Sequence, residues 1–387
     1  MSINTSIPQP TGPYFVGKES FHLIDTSRKE RHSKDQDCAR EWIVRALYPT
    51  DSTDTIQKCV YLDGLSTIIK SKLTDFLQIP ADKLSSLDYL DTINTYSIAN
   101  APILRQKKKL PVLIFSHGLG TSTLFYSSLL EEMASHGYVV LSIEHTYGNT
   151  VTQFPDGRVA EYTQPIDFGE VKKFISLEIE TWINDILYTV SYFKENESIH
   201  VKFNEMLDFE KIGIFGHSFG GAAAVQVCRQ DPRFKAGVNM DGALQGENKT
   251  SDIKKPFMFI LGKSFAQRLE PPKEILDQIK ITSEEYQNTI NDYMDEINNL
   301  LRNLSLEKYC VVIPEADHMM FSDYHLLLED HFPPALASIK GKLNPTRLIT
   351  ITRHLLVDFF NQYILDKREN STKICSDKKF PEIELRS

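Results

Sequence analysis

The feature that most constrains this chain is a series of short, uninterrupted apolar segments that begins near Leu110 and alternates with helical patterns. The apolar segments are Pro111–Phe115, Tyr138–Ile143, Ile212–Phe215, Ala236–Met240, Pro256–Leu261 and Tyr309–Ile313. Residues with helical spacing lie between them, at Leu124–Ser135 and Ser176–Lys194. Strands that are apolar on both faces are typical of a parallel sheet covered by helices on both sides. The sequence therefore predicts an α/β fold with a mostly parallel central sheet and helices on both faces.

One of these apolar segments leads into a serine that is flanked by glycines. The sequence Gly216-His-Ser-Phe-Gly220 follows the apolar residues before it and precedes a helical run of small residues, Gly221–Val225. A G-x-S-x-G motif between a strand and a helix is the nucleophile elbow of serine hydrolases. The alternative is a glycine-rich turn with a capping serine. We interpret Ser218 as the nucleophile, which needs a base to accept its proton.

The base and its acid are predicted from their positions after two later strands. In this kind of hydrolase the acid and then the histidine follow the serine in the chain. Asp241 directly follows the segment that ends at Met240, and His318 follows the segment that ends at Ile313. Although Asp241 could merely cap a turn, it lies at the carboxyl end of a strand, where such sites form. The sequence therefore predicts a catalytic triad of Ser218, Asp241 and His318.

A second motif predicts how the negative charge of the reaction is stabilised. The sequence Ser116-His-Gly-Leu-Gly120 directly follows a predicted strand. Hydrolases with an elbow place one backbone N–H donor in such a loop and a second at the residue after the serine. We therefore predict an oxyanion hole formed by the N–H groups of Leu119 and Phe219.

The rest of the chain is predicted to decorate one domain that spans residues 1–387. Residues 1–105 are predicted as an N-terminal extension packed on the core, with a strand at Trp42–Tyr48 and a helix near Leu65–Leu77. Residues 264–308 are predicted as a helical insertion. Within it, Thr282 and Glu285 indicate a capping box, and an apolar stripe follows at helical spacing: Tyr286, Ile290, Tyr293, Ile297, Leu300 and Leu304. This segment either packs as an ornament or, over 274–304, forms a lid. Residues 367–387 are predicted as a flexible tail.

Composition excludes several other classes of function. The formal net charge is −9 and the pI is about 5.7, which argues against nucleic acid and against a polybasic membrane contact. The sequence contains no Cys/His cluster with metal-ligand spacing, so we expect neither a metal nor a cofactor. It contains no secretory signal pattern and no apolar run long enough to span a membrane, and its five cysteines are scattered. A cytoplasmic location is expected, with export without a cleaved signal left open.

The motifs together resemble those of the platelet-activating-factor acetylhydrolases, the single-chain plasma and intracellular type II enzymes. The resemblance runs, with gaps, from about Pro10 to about Asp366. It is carried by these segments: Pro10–Gly17, Leu47–Pro49, Ser116–Gly120, Ala134–Tyr138 with Glu144-His145, Gly216–Gly221, and Asp231–Phe234 followed by Asp241.

This resemblance implies an α/β-hydrolase fold and calcium-independent, phospholipase A2-type hydrolysis of sn-2 esters that carry a short or oxidised acyl chain. It places the same residues in the triad and the oxyanion hole. The helix near Leu65–Leu77 is more polar than the lipid-binding helices of the vertebrate enzymes, so we expect at most weak contact with a lipid surface. The alternatives are a broad-specificity carboxylesterase, polyester hydrolase or lipase, and a non-catalytic binding protein. The oligomeric state is left open.

Overall fold

The computed structural model describes residues 6–35, 37–52, 58–163, 171–203, 205–266, 273, 276–277, 281–303, 308–333, 340–367 and 379–386. The chain divides into two compact units that are interleaved in the sequence. The N-terminal unit comprises residues 5–164 and 181–212, and the C-terminal unit comprises residues 1–4, 165–180 and 213–387. The single domain over residues 1–387 stays a prediction.

The strands and helices follow the predicted alternation from β5 onward. The strands are β1 (Phe15–Lys29), β2 (Ala39–Thr50), β3 (Lys58–Val60), β4 (Asn94–Ala99), β5 (Leu110–Ser116), β6 (Val139–Glu144), β7 (Val151–Gln153), β8 (Val159–Glu161), β9 (Leu207–His217), β10 (Phe234–Met240), β11 (Phe257–Leu261), β12 (Lys308–Val312) and β13 (Glu384–Arg386). The α-helices are α1 (Ser66–Leu77), α2 (Ser127–Ser135), α3 (Val171–Glu195), α4 (Glu197–Lys202), α5 (Phe219–Gln230), α6 (Lys263–Ala266), α7 (Ser283–Asn303), α8 (Tyr324–Leu328) and α9 (Pro345–Tyr363).

In the N-terminal unit the strand order is β5-β6-β2-β1-β4-β3, with β7 and β8 forming a separate hairpin. The pairs β5–β6 and β1–β4 are parallel, whereas β6–β2 and β2–β1 are antiparallel. The strand predicted at Trp42–Tyr48 is the centre of β2, and the helix predicted near Leu65–Leu77 is α1. The long strand β1 was not predicted, because charged and apolar residues alternate irregularly along it and it has no continuous apolar run.

In the C-terminal unit, which contains β9 from Gly213 onward, the strand order is β9-β10-β11-β12-β13. Strands β10, β11 and β12 are parallel to one another. Their central side chains, such as Val238, Phe259 and Val311, are fully buried. This burial explains why each strand reads as an uninterrupted apolar segment. Parallel pairing brings the carboxyl ends of these strands to one edge, and the loops at this edge hold Asp241 and the segment before His318.

The predicted insertion contains the long helix α7. Its predicted capping box is confirmed, because Thr282 Oγ1 accepts from the Glu285 N–H at 3.1 Å and the Thr282 N–H donates to Glu285 Oε2 at 2.8 Å. The apolar stripe is buried at Ile297 and Leu300 and only half-buried toward the start of the helix. Residues 267–272, 274–275, 278–280 and 304–307 of the insertion lie outside the described residues.

The prediction of a flexible tail over residues 367–387 is wrong for residues 379–386. Strand β13 pairs antiparallel with β12, and Phe380 and Ile383 are buried. Arg347 Nε donates to Glu382 Oε1 at 2.7 Å. A short polar sequence can form an ordered strand when a neighbouring strand offers free backbone N–H and C=O groups. The local sequence pattern of residues 384–386 did not indicate this pairing. Residues 368–378 and 387 lie outside the described part of the chain.

Candidate active site

Ser218 lies on a strained turn between β9 and α5. Its backbone has φ 54° and ψ −120°, a conformation that L-residues rarely adopt. A Cβ atom at Gly216 would lie 2.3 Å from the backbone of Gly220, and one at Gly221 would lie 2.6 Å from Asn239 Oδ1. The glycines of the motif therefore permit backbone packing that side chains would block. The Ser218 N–H donates to the carbonyl of Met240 at 2.8 Å, which fixes the turn against the end of β10.

The structure brings the three residues of the predicted triad together in one hydrogen-bonded chain. His318 Nε2 lies 2.9 Å from Ser218 Oγ, and His318 Nδ1 lies 2.7 Å from Asp241 Oδ2. A carboxylate only accepts hydrogen bonds, so Nδ1 carries the proton and Nε2 can accept the proton of the serine. The three side chains come from the ends of three different strands, as the order of motifs predicted.

Asp241 is held by groups that the sequence analysis did not identify. Its side chain is fully buried, and its Oδ1 accepts from the backbone N–H of Gly262 at 2.5 Å. The side chain of Asn239 accepts from the Gly242 N–H at 2.7 Å and donates to the Gly242 carbonyl at 3.0 Å. Gly262 directly follows the predicted strand that ends at Leu261, and this position was the available signal for a backbone donor at the same sheet edge.

His318 begins a 3-10 turn and keeps 44% of its side chain exposed. Burial of the ring opposes protonation, but the hydrogen bond and charge of Asp241, together with the charge of Asp317, raise the pKa of His318 above its usual value. The Nε2 proton of His217 is directed at the carbonyl of His318, 2.9 Å away. These contacts fix both the backbone and the ring of His318.

Asp317, next to His318, anchors the same turn. Its Oδ1 accepts from the Met319 N–H at 3.0 Å, and its Oδ2 accepts from the Gly341 N–H at 2.7 Å. His325 Nε2 lies 2.9 Å from the same Oδ1. Burial opposes ionisation, but the hydrogen bond and charge of His325 and these N–H groups lower the pKa of Asp317. A carboxylate beside His318 therefore stays ionised and favours the imidazolium form.

The two predicted oxyanion donors lie in different units. Phe219 is the first residue of α5, so its N–H is at the positive end of a helix dipole. Leu119 lies in the loop after β5 in the N-terminal unit. The roles of both N–H groups stay predictions.

The charge of Asp241, the predicted acid, influences one residue of α7. Burial, together with the negative charge of Asp241, raises the pKa of the Tyr286 hydroxyl in the first half of α7. Tyr286 is half-buried. The role of the insertion as an ornament or a lid stays a prediction.

Over the ranges that the structure describes, no group of three or more His, Cys, Asp or Glu side chains is arranged to hold a metal ion. In the same part of the chain, none of the helices combines the length and apolar character that crossing a bilayer requires.

Comparison with known proteins identifies the family. The family model described as platelet-activating factor acetylhydrolase, isoform II, matches residues 1–183 and 190–379. The dienelactone hydrolase family model matches residues 99–268. A ferulic acid esterase from Streptomyces cinnamoneus has a similar structure, with a TM-score of 0.76, 21% sequence identity, and coverage of 99% of this chain and 100% of the esterase. The α/β-hydrolase fold, with its mostly parallel central sheet and helices on both faces, is therefore confirmed.

Two curated relatives carry names that agree with the family model. A probable 1-alkyl-2-acetylglycerophosphocholine esterase of Arthroderma benhamiae is 27% identical over 263 residues, which are 65% of this chain and 63% of the fungal protein. The platelet-activating factor acetylhydrolase of Cavia porcellus is 28% identical over 289 residues, which are 68% of this chain and 62% of the relative. The matched region thus spans less than two thirds of either relative. Because the family model covers almost the whole sequence, the chain belongs to the platelet-activating factor acetylhydrolase isoform II family.

Proposed function

We propose that the protein is a serine esterase that hydrolyses the sn-2 ester of phospholipids with a short or oxidised acyl chain, without calcium. The observation that carries this proposal is the chain of hydrogen bonds from Ser218 through His318 to Asp241, with distances of 2.9 and 2.7 Å. Membership of the acetylhydrolase family and the names of the relatives support the choice of substrate.

In the first half of the reaction, Ser218 is the nucleophile. Its Oγ attacks the ester carbonyl carbon while His318 Nε2 accepts the hydroxyl proton. The carbonyl oxygen becomes an oxyanion, which accepts hydrogen bonds from the N–H groups of Phe219 and Leu119. The bond from the acyl carbon to the sn-2 oxygen then breaks, and His318 returns its proton to that oxygen. The lysophospholipid leaves, and the acyl group stays on Ser218.

In the second half, water takes the place of the serine. His318 accepts a proton from the water, the resulting hydroxide attacks the acyl carbon, and the proton returns to Ser218 Oγ as the ester bond breaks. Asp241 keeps the Nδ1 proton of His318 in place and stabilises the imidazolium that forms in each half. The raised pKa of His318 supports this role, since it reflects a ring that gains a proton favourably beside Asp241.

Two surface features enter the proposal for substrate binding. The influence of Asp241 on the pKa of Tyr286 supports assigning Tyr286 to the acyl pocket, with α7 acting as part of the lid that the sequence analysis considered and that moves on contact with lipid. Helix α1 exposes Phe76 (45% exposed) among polar neighbours, which supports weak contact with a lipid surface. The cytoplasmic location expected from the sequence stays a prediction.

The proposal is tested with a panel of phosphatidylcholines whose sn-2 chains increase in length from acetyl, each assayed with and without EDTA. We expect hydrolysis that decreases with chain length, is unaffected by the chelator and is lost in Ser218→Ala. Loss with EDTA that calcium restores would contradict the metal-independent mechanism. Hydrolysis of p-nitrophenyl esters with no activity on any of the phospholipids would instead identify a broad-specificity carboxylesterase.

A further inference from the structure

The peptide that joins Gly118 to Leu119 is held at its carbonyl end by several donors. His117 Nδ1 and Thr121 Oγ1 each lie 2.7 Å from the Gly118 carbonyl oxygen. The backbone N–H of Thr121 donates to the same oxygen at 3.0 Å. A carbonyl oxygen has only two lone pairs, so with three donors it has no capacity left for a further hydrogen bond.

The other side of Gly118 is fixed as well. Its N–H donates to the hydroxyl oxygen of Tyr126 at 3.2 Å, and that hydroxyl lies 3.1 Å from Thr121 Oγ1. Because Thr121 donates its own proton to the Gly118 carbonyl, the proton of the Tyr126 hydroxyl is directed at Thr121. The hydroxyls of Thr121 and Tyr126 therefore bind Gly118 on both sides.

The backbone directly after β6 determines which ring nitrogen of His117 carries the proton. The backbone N–H of His145 donates to His117 Nε2 at 3.1 Å. Nε2 is therefore an acceptor, and in the neutral ring the proton lies on Nδ1, where it is donated to the Gly118 carbonyl. His117 is fully buried. Burial lowers its pKa, with the charge of Glu144 opposing that effect, and the ring stays neutral at physiological pH.

From this geometry we infer that His117 and Thr121 are positioning residues for the oxyanion hole. A peptide group is planar and trans, so its C=O and N–H point in opposite directions. Holding the Gly118 carbonyl therefore sets the direction of the Leu119 N–H. This inference rests on the proposed function, in which that N–H donates to the oxyanion.

The decisive test compares two threonines whose hydroxyls bind carbonyls of the same loop, the one after β5. Thr121→Val removes the hydroxyl that holds the Gly118 carbonyl and keeps the shape of the side chain. Thr150→Val is the matched control, because Thr150 Oγ1 donates at 2.8 Å to the carbonyl of Gly120, which belongs to a different peptide. We expect Thr121→Val to lower kcat on p-nitrophenyl acetate by about tenfold or more with little change in KM, since one oxyanion donor becomes misaligned. Thr121→Ser, which keeps the hydroxyl, should restore kcat.

A second readout separates positioning from general loosening of the loop. A trifluoromethyl ketone forms a tetrahedral adduct with the serine and needs the oxyanion hole, so its affinity should fall in Thr121→Val and stay unchanged in Thr150→Val. Equal losses in both variants, or wild-type behaviour of Thr121→Val, would overturn the inference. If Thr121→Val does not fold, the comparison of His117→Gln, which keeps a donor, with His117→Leu decides in the same way. The proposed function is tested separately from these variants, because activity retained in Ser218→Ala, or no hydrolysis of any phospholipid in the panel, would contradict it.

Discussion

In each of the two units, hydrogen bonds join a serine, a histidine and an aspartate. These two hydrogen-bonded chains of side chains differ in almost every other property. In the C-terminal unit, His318 joins Ser218 to Asp241. In the N-terminal unit, His145 Nε2 lies 3.0 Å from Ser116 Oγ, and His145 Nδ1 lies 3.0 Å from Asp185 Oδ2. The connectivity of atoms is the same in both.

The surroundings of the two histidines shift their pKa values in opposite directions. His145 is fully buried and stacks on Trp182 at a centroid distance of 4.0 Å. Burial lowers its pKa to about 4, although the hydrogen bond to Asp185 opposes that effect. His318 is partly exposed and its pKa is raised. A base that must gain a proton at neutral pH can therefore be His318 but not His145.

The two aspartates differ in the groups that compensate their negative charge. Asp185 Oδ2 lies 2.7 Å from an Arg40 nitrogen, and Asp185 Oδ1 lies 2.9 Å from an Arg28 nitrogen. These two arginines thus balance the negative charge of Asp185, which is then less able to favour protonation of His145. Asp241 instead accepts from a neutral backbone N–H at Gly262. Hydrogen-bond geometry therefore does not by itself identify a catalytic triad. Exposure, counter-charge and the strained backbone of the serine are also needed.

The largest expected contrast is between the two serines. Ser218→Ala should lower turnover by roughly 10,000-fold or more, because the nucleophile is lost. Ser116→Ala should leave kcat within about twofold of the wild type and lower the free energy of unfolding by about 1–3 kcal/mol, since the buried Nε2 of His145 loses its partner. Steady-state kinetics and urea unfolding measure the two effects. A large loss of kcat in folded Ser116→Ala would show that the buried chain takes part in the reaction.

The two aspartates should separate catalysis from stability. Asp241→Asn should lower kcat on the order of 10,000-fold with little loss of stability, because the amide no longer holds the productive tautomer of His318. Asp185→Asn should lower the free energy of unfolding by about 3–5 kcal/mol, because Arg40 is left buried with only part of its counter-charge. The kcat of the folded Asp185→Asn protein should stay close to that of the wild type, and a loss as large as in Asp241→Asn would remove the distinction.

The pH dependence of stability should show the opposite signs of the two histidines. His145 has a folded pKa of about 4, below its ordinary value of 6.5, so unfolding takes up a proton between these values. Its contribution to stability is present above pH 6.5 and decreases toward pH 4, by on the order of 3 kcal/mol. The raised pKa of His318 acts in the other direction, because its contribution decreases as pH rises through the folded pKa.

Urea unfolding between pH 4 and 6.5 measures this difference. His145→Asn should make the free energy of unfolding depend less steeply on pH in that range than it does in the wild type. His318→Gln is the control, and it should not flatten the curve. An unchanged slope in His145→Asn would mean that His145 already carries its proton in the folded protein.

The smallest expected effect concerns Tyr286 on helix α7. Tyr286→Ala should change the ratio of kcat/KM between acetyl and longer sn-2 chains by severalfold, because a methylene in an apolar pocket contributes only about 1–3 kcal/mol. Tyr293→Ala on the same helix is the control, since the pKa of Tyr293 is raised by burial without an influence of Asp241. Identical preferences in both variants would make α7 an ornament and reject the lid.

The sequence predicted those parts of the fold whose pattern is local. The buried strands β10 to β12 read as continuous apolar runs, and the capping residues of α7 lie three positions apart, so both were predicted. Strand β1 was not predicted because its order depends on pairing with β2 over many residues, and β13 was not predicted because it depends on β12. Such pairings link distant segments and leave weak local signals.

The candidate site was predicted to a similar extent. The elbow, the acid and the histidine were predicted because this class of hydrolase has a fixed order along the chain. The donors that support them, Gly262 on Asp241 and Gly341 on Asp317, are backbone groups whose identity carries no information about their direction. The buried chain through His145 was missed for a related reason. Its residues come from two strand ends and a helix, and only the fold brings them together.

The short strand β13 has a consequence for handling the protein. An unpaired strand presents a row of free N–H and C=O groups that can pair with another molecule. Residues 384–386 cover that row on β12, and the buried Phe380 and Ile383 hold them in place. Proteolytic removal of residues 379–386 would therefore uncover both a strand edge and an apolar patch. We expect preparations clipped at this point to aggregate even though every proposed catalytic residue is intact.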